Sequence, residues 1–202
     1  MITKNNTYNE VNNSQKINPI RITITALFIA LNIAFSSFGL PVPGGHVYLC
    51  DMVICLAALI LNPFESFIVG GVGSFLGDLI FYPLTMFVSL ITHGLQALVI
   101  SLIAHHSFKD KPKLASIIAV IVGGLVMVLG YTLGKAFVYS TKEYAILTMP
   151  YEITQTYLGA ILSIILAYRY KIKASCLNLI NRHNNRHLER SVSNPPLQER
   201  KL

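Results

Sequence analysis

The sequence predicts an all-α integral membrane protein with six transmembrane helices and both termini in the cytoplasm. Two features of its composition point to the bilayer: 53% of its 202 residues are hydrophobic and only 12% are charged, about half the charged share of a soluble domain. The third feature is a series of apolar runs, most of them close to the roughly 20 residues that a spanning helix needs. The three cysteines form an odd set without metal-ligand spacing, which excludes a disulfide-stabilised scaffold.

Breaks at proline, glycine and charged residues divide the apolar sequence into six helices. They are predicted near residues 20–39, 47–61, 64–82, 84–105, 114–139 and 150–168. The second is the shortest, and only the tight-turn sequence Leu61-Asn62-Pro63-Phe64 separates it from the third. The predicted organisation is therefore a cytoplasmic N-terminal tail (1–19), a membrane domain (20–168) and a basic cytoplasmic C-terminal tail (169–202).

Lysines and arginines set the predicted orientation. All but two of the 16 lie before or at the start of the first helix, in the 106–113 loop, or after the sixth helix. The exceptions, Lys135 and Lys142, fall on the other side. The positive-inside rule therefore places both termini in the cytoplasm of a multi-pass protein of the prokaryotic cell membrane. Most of the net charge of +7 is a topology signal, and no interleaved aromatic residues support nucleic-acid binding by the tail at 182–201.

Polar side chains inside spanning helices are functional candidates because they are costly in lipid. Nearly all of them fall in the outer half of the predicted helices, whereas the inner halves are mainly aliphatic. The candidates are Asp51, Asp78, His93, Gln96, Lys135, Glu152 and Gln155. His93 and Gln96 share a helix face, as do Glu152 and Gln155, because each pair is spaced i, i+3. The pattern predicts a one-sided polar pocket, with the Pro- and Gly-rich segment 39–46, including His46, as a lid.

Structural interpretations compete with several of these assignments. Asp51 and Asp78 could instead be carboxylates that are only hydrated or that cap a helix. Lys135 could instead extend its side chain to the outer interface of the membrane. Glu152 also fits a favourable charge in a first helical turn. Four tyrosines favour an aromatic belt at the membrane interface over ligand stacking; they are Tyr82, Tyr131, Tyr139 and Tyr144.

Small residues form a second pattern, in which they recur every four positions and let helices approach closely in lipid. The repeats are Ala26, Ala30 and Ala34, then Gly73 and Gly77, Gly130 and Gly134, and Gly159 with Ser163 and Ala167. Most of these faces are expected to pack internally, and one surface is left to receive another protein.

Catalytic motifs are weak in this sequence, and no cofactor or metal is expected. Residues 130–136 resemble a phosphate loop but have three residues between the glycines and alanine after the lysine, where that loop needs four residues and Ser or Thr. Ser74, Asp78 and His93 leave open an intramembrane serine hydrolase, since such a triad can occur on any scaffold. No nucleophile motif surrounds Ser74, so enzymatic activity is not expected.

Three segments in order, GGHVYLCD at 44–51, GGVGSFLGD at 70–78 and THGLQ at 92–96, resemble the substrate-specific S components of energy-coupling factor (ECF) transporters. The resemblance spans roughly residues 20 to 168. It is greatest to the subgroup that carries hydroxymethylpyrimidine and pyridoxine-like vitamin precursors. Two positions depart from the family pattern: Cys50 replaces an expected glycine, and His93-Gly94-Leu95-Gln96 replaces Lys-Gly-Leu-Glu.

The resemblance implies a subunit that captures a vitamin or precursor from outside and has no ATPase of its own. Its partners would be a coupling transmembrane protein and two ATP-binding-cassette ATPases. The family's Ala-x-x-x-Ala docking motif matches Ala26, Ala30 and Ala34, and its ligand site maps onto His46, His93, Gln96, Glu152 and Gln155. Asp51 and Asp78 match carboxylates of the family motifs. The resemblance leaves two roles open for them, contact with the ligand and support of the fold. Hydroxymethylpyrimidine is the first substrate candidate, and pyridoxine and riboflavin are the alternatives.

Overall fold

The computed structural model describes residues 19–42, 45–107 and 110–193. Within these ranges the chain forms seven helices and one β-hairpin. The predicted N-terminal tail, 1–19, lies outside the described residues except for Pro19, and so do residues 194–202 of the predicted C-terminal tail.

The helices follow the predicted apolar runs with adjusted bounds. They are α1 (Pro19–Ser36), α2 (Cys50–Ile60), α3 (Pro63–Phe81), α4 (Met86–His106), α5 (Pro112–Tyr139), α6 (Lys142–Ile164, extended by Ile165–Arg169) and α7 (Ile172–Ser193). In the part of the chain that is described, α1, α3, α4 and α5 are long and apolar enough to cross a membrane. This supports an all-α membrane protein, while the six spans and the orientation of the termini remain predictions.

Helix α2 is shorter than the predicted segment 47–61 because residues 47 and 48 belong to a β-strand. It has 11 residues, and all except Met52 are buried. A helix that is apolar on every side belongs in the interior of a protein. At about 16 Å it covers only about half of a roughly 30 Å hydrocarbon core. Helix α2 therefore fills the centre of the bundle, where it packs against α1, α4 and α6.

The predicted lid is a β-hairpin, so the protein is not entirely helical. Strands β1 (Gly39–Val42) and β2 (Gly45–Tyr48) are antiparallel, with Leu40 opposite Val47 and Pro41 opposite His46. A Cβ atom on Gly39 would lie 2.8 Å from the Tyr48 ring, so this close approach requires glycine. Residues 43 and 44, at the tip of the predicted lid, lie outside the described residues.

Helix α6 begins at Lys142, well before the predicted start at 150, and carries Pro150 in its interior. Proline lacks an N–H group and is far commoner in the first turn of a helix than in its middle, which is why the sequence favoured the later start. The actual N-terminus is capped at Thr141, whose side chain accepts a hydrogen bond from the Tyr144 N–H at 3.3 Å.

Small residues allow close helix contacts inside the bundle, as predicted. A Cβ atom on Gly73 would lie 2.7 Å from the Asn32 side chain, and one on Gly130 would lie 2.6 Å from Thr92. A Cβ atom on Gly159 would lie 2.7 Å from the Cβ of Asp51. These contacts join α3 to α1, α5 to α4, and α6 to α2.

The end of the bundle away from the hairpin is held by an ion pair and by α7. Arg21 donates two hydrogen bonds to Glu65, at 2.8 and 2.7 Å, and thereby ties α1 to the start of α3. Part of the predicted C-terminal tail, 169–202, forms helix α7. Ile180 of α7 is buried in the core, and burial lowers the pKa of Lys173.

Candidate substrate-binding site

A cavity of about 210 Å³ lies under the hairpin. Its walls come from helices α3 to α6, from both strands of the hairpin and from the ends of α1 and α2. Polar and aromatic side chains supply most of the lining: Ser36, His46, Tyr48, Cys50, Ser74, Asp78, Tyr82, Thr85, His93, Tyr131, Lys135, Tyr139, Tyr144, Thr148, Tyr151, Glu152 and Gln155, with Val42 and Met127.

Three rings cluster where the hairpin meets the end of α3. The ring centroids of Tyr48 and Tyr82 are 5.2 Å apart in an edge-to-face arrangement. The His46 ring lies 6.2 Å from each of them. Aromatic pairs at such distances are stabilising beyond the area that they bury. The cluster therefore holds the hairpin against the bundle on one side of the cavity.

Asp78 lies in the cavity wall and is held by hydroxyl groups. Its Oδ2 atom accepts hydrogen bonds from Thr85 Oγ1 at 2.6 Å and from Ser89 Oγ. The Ser89 hydroxyl also contacts the hydroxyl of Tyr131. Asp78 is only half-buried, and its hydrogen bonds to described residues use one oxygen. The second oxygen is therefore available to a molecule in the cavity.

An ion pair forms another part of the cavity wall. Lys135 Nζ contacts Glu152 Oε1 and donates a hydrogen bond to Thr148 Oγ1 at 2.8 Å. Thr132 Oγ1 also lies within 3.4 Å of Glu152 Oε2. Lys135 begins the π-helical turn at the end of α5, so an irregular helix end places this charge inside the bundle. Both charges remain partly accessible from the cavity.

Asp51 lies behind the cavity and is fully buried. Its Oδ1 atom accepts a hydrogen bond from Gln96 Nε2 at 2.9 Å, and its Oδ2 atom accepts one from Gln155 Nε2 at 2.7 Å. Gln96 Oε1 lies 2.7 Å from His93 Nδ1, and Gln155 Oε1 accepts a hydrogen bond from the Tyr48 N–H at 2.8 Å. This buried chain of bonds joins α2, α4, α6 and the hairpin.

Six of the eight predicted ligand-site residues line the cavity: His46, Asp78, His93, Lys135, Glu152 and Gln155. The other two, Asp51 and Gln96, do not line the cavity and are hydrogen-bonded to each other behind it. Whether any of the eight contacts a ligand remains a prediction.

The sequence missed much of the aromatic lining. Tyr82, Tyr131, Tyr139 and Tyr144 face the cavity, where the sequence favoured a membrane-interface belt. Thr85 was also missed. It follows Asp78 by seven residues, two turns along an α-helix, but the chain breaks at Tyr82 between α3 and α4. That spacing alone is too common to identify a partner.

Ser74, Asp78 and His93 all line the cavity without forming a hydrolase triad. Ser74 Oγ accepts a hydrogen bond from Asn32 Nδ2 at 3.1 Å, and His93 Nδ1 is bonded to Gln96. Among the described residues, no hydrogen bond links the Ser74 hydroxyl to the histidine or the histidine to Asp78. A nucleophile needs its base within hydrogen-bond reach, so the arrangement does not favour the hydrolase alternative.

Helix α1 has an exposed face of small and apolar residues, separate from the cavity. Ala26, Ala30 and Ala34 are all exposed, and the larger neighbours Ile22 and Leu27 are 55% and 58% exposed. The opposite side of the helix is buried through Ile24, Phe28 and Asn32. The alanine repeat is thus the small-residue face that the bundle itself does not cover.

Two comparisons with known proteins bear on this arrangement. The sequence model of a family described as "ECF-type riboflavin transporter, S component" matches residues 16–172. A protein of Pyrococcus woesei, described as an uncharacterized protein in the gap 3' region, is 28% identical over 151 residues, which cover 74% of this chain and 94% of that protein.

Proposed function

The chain belongs to the family of ECF-type riboflavin transporter S components, and from this membership and the cavity we propose that it captures a small vitamin or vitamin precursor at the outer face of a prokaryotic cell membrane. S components are the substrate-binding subunits of vitamin uptake systems, so the family itself indicates transport and not catalysis. Our proposal adds the location of the site, the class of ligand and the partners.

The observation that carries the proposal is the cavity under the hairpin, which gathers polar groups from four helices within an otherwise apolar bundle. Ionisable groups inside a membrane protein mark binding or transport paths. Here acceptors, donors and a cation–anion pair surround a space walled by tyrosine rings. Such a lining suits a flat heterocycle with several hydrogen-bonding groups.

Cavity size favours a ligand with one ring. The volume of about 210 Å³ is below the roughly 300–1,000 Å³ of pockets for drug-sized ligands. Hydroxymethylpyrimidine, a thiamine precursor, is therefore the first candidate, and pyridoxine has the same ring size. Riboflavin, with three fused rings, would require the hairpin to move outward.

The proposed orientation has six membrane-crossing elements, α1 to α6, and both termini in the cytoplasm. The distribution of lysine and arginine supports it, and it places the hairpin and cavity on the outer side. Helix α2 is too short to cross the membrane alone, and the hairpin would cover its outer end.

The partners that we propose are a coupling transmembrane protein and two ATP-binding-cassette ATPases, with the exposed face of α1 as the docking surface. Ala26, Ala30 and Ala34 would let a partner helix approach closely, as small-xxx-small faces do in lipid. Changing Ala30 to Trp should abolish uptake in cells that contain the coupling module and leave ligand binding intact. Leu129→Trp, at a 62% exposed position on α5, is the matched control, and uptake by Ala30→Trp at the level of the control would contradict the docking proposal.

Mass spectrometry of small molecules released from the purified full-length protein tests capture directly. A capture subunit binds tightly enough to retain its ligand, so we expect a stoichiometric vitamin-like heterocycle. Release of lipid alone, together with no change in thermal stability on adding hydroxymethylpyrimidine, pyridoxine or riboflavin, would contradict the proposal. Transport into proteoliposomes without ATPase partners would instead indicate a self-sufficient carrier.

A further inference from the structure

The hydrogen-bond chain behind the cavity has a fixed starting point in the hairpin. The Tyr48 backbone N–H can only donate, and it donates to Gln155 Oε1 at 2.8 Å. This fixes the orientation of the Gln155 amide, because exchanging its oxygen and nitrogen would place two donors face to face. Gln155 Nε2 must therefore point to Asp51 Oδ2, which it meets at 2.7 Å.

The same logic continues through Asp51 to His93. A carboxylate only accepts hydrogen bonds, so Gln96 presents Nε2 to Asp51 Oδ1, at 2.9 Å. The Gln96 oxygen is then left for His93 Nδ1, 2.7 Å away. Since an amide oxygen accepts, Nδ1 of His93 must carry the proton.

In a neutral histidine, a proton on Nδ1 leaves Nε2 as an acceptor. His93 lines the cavity, and no hydrogen bond from a described residue reaches its Nε2 atom. The Tyr131 ring, with its centroid 5.2 Å away and edge-to-face, restricts rotation of the imidazole. The ring is therefore held with one nitrogen in the buried chain and the other toward the cavity.

We propose that Asp51 is a positioning residue that, through Gln96, holds His93 as the Nδ1–H tautomer, so that the cavity selects a ligand donating an N–H or O–H group to Nε2. The tautomer follows from the chain alone, whereas the selection of ligands rests on the proposed capture function. A heterocycle with an amino or hydroxyl substituent satisfies Nε2. One that offers only acceptors leaves it unpaired in a site sheltered from water, which weakens binding.

Asp51→Asn tests the tautomer because it keeps the shape of the side chain. Gln155 is fixed by the Tyr48 N–H and still needs an acceptor at residue 51. The new amide must therefore turn its oxygen to Gln155 and its NH₂ to Gln96, which turns the Gln96 amide over. Gln96 would then donate to Nδ1, and His93 would carry its proton on Nε2.

Nitrogen NMR of the full-length protein, labelled with ¹⁵N-histidine and free of added ligand, shows which ring nitrogen of His93 carries the proton. A His93→Gln sample identifies the His93 signals by their loss. We expect protonated Nδ1 and unprotonated Nε2 in the wild type, and the reverse in Asp51→Asn. Asp78→Asn makes the same charge change in the cavity wall without touching the chain, and should leave the His93 pattern unchanged.

The wild-type spectrum decides the tautomer even where Asp51→Asn does not fold. A proton on Nε2, or on both nitrogens, in the wild type overturns the proposal. So does an unchanged His93 pattern in a folded Asp51→Asn protein. None of these outcomes depends on capture of a vitamin, so they stand apart from a failure of the proposed function.

Two fragments of equal shape test the selection of donors. 2-Aminopyrimidine and 2-methylpyrimidine share ring acceptors, but only the first donates an N–H. We expect 2-aminopyrimidine to bind the wild type at least about tenfold more tightly than 2-methylpyrimidine, because the latter leaves a buried acceptor without its hydrogen bond. The preference should disappear in Asp51→Asn. Equal binding of both fragments to the wild type, or binding of neither, overturns the selection of donors while the NMR result still decides the tautomer.

Discussion

Asp51 and Asp78 end up in different surroundings, although the sequence places both in the outer half of their helices. Asp51 is fully buried, and amides from α4 and α6 occupy both of its oxygens. Asp78 is half-buried in the cavity wall and is bonded through one oxygen to two hydroxyls at the start of α4. Depth in a membrane helix therefore does not determine the surroundings of a carboxylate; the side chains that meet it from other helices do.

The largest expected effect is at Asp51. Asp51→Ala removes the acceptor for two buried amides, and we expect the free energy of unfolding to fall by about 3–5 kcal/mol, as when a buried polar pair is broken. Thermal unfolding in detergent measures it, with Asp110→Ala at an exposed site as the control. A loss below about 1 kcal/mol would remove the distinction between the two aspartates.

The ion pair in the cavity wall should respond less strongly. Lys135→Met leaves Glu152 without its cation, and we expect a loss of about 2 kcal/mol, less than at a dry site because the cavity admits water. The double variant Lys135→Met/Glu152→Gln should recover part of that loss, because it removes both charges. A double variant less stable than either single variant would show that the pair does not act as a unit.

Asp78→Asn should change stability by only about 1 kcal/mol, because the new amide oxygen still accepts from the hydroxyls of Thr85 and Ser89. Binding should suffer more, since the variant replaces the free carboxylate oxygen facing the cavity with a donor. We expect the affinity for the ligand found by mass spectrometry to fall at least about tenfold, measured by titration calorimetry. Unchanged affinity would move Asp78 into the supporting class with Asp51.

The smallest effect on stability is expected at the exposed face of α1. Ala26→Leu adds volume toward lipid and should change the free energy of unfolding by no more than about 0.5 kcal/mol. The same measurement on Gly159→Ala should show a loss of about 1–3 kcal/mol, because the added methyl group meets Asp51. Similar losses in the two variants would mean that the alanine face is covered within the fold.

Much of this architecture was predictable from the sequence, because membrane helices can be recognised by their length and apolar composition. The polar clustering also followed, since His93 with Gln96 and Glu152 with Gln155 lie on shared helix faces. The role of Asp51 did not follow, because it depends on which amides meet it across α2, α4 and α6. The hairpin was missed for a similar reason: its short strands gain their stability from the Tyr48 and Tyr82 rings and from Gln155, all contacts that the chain makes at long range.

A π-helical turn within α3, at Ile68–Val72, sets the direction in which the later side chains of that helix point. A π-helical turn holds one residue more than an α-helical one, so it rotates everything beyond it by about 100° relative to an uninterrupted α-helix. In α3 the turn at Ile68–Val72 precedes both Gly73, which meets Asn32, and Asp78, which faces the cavity. Asn32 Nδ2 donates to the Val69 carbonyl within this turn, at 2.8 Å. A single-residue deletion there would change the hydropathy of α3 little and would still rotate the Asp78 carboxylate away from the cavity.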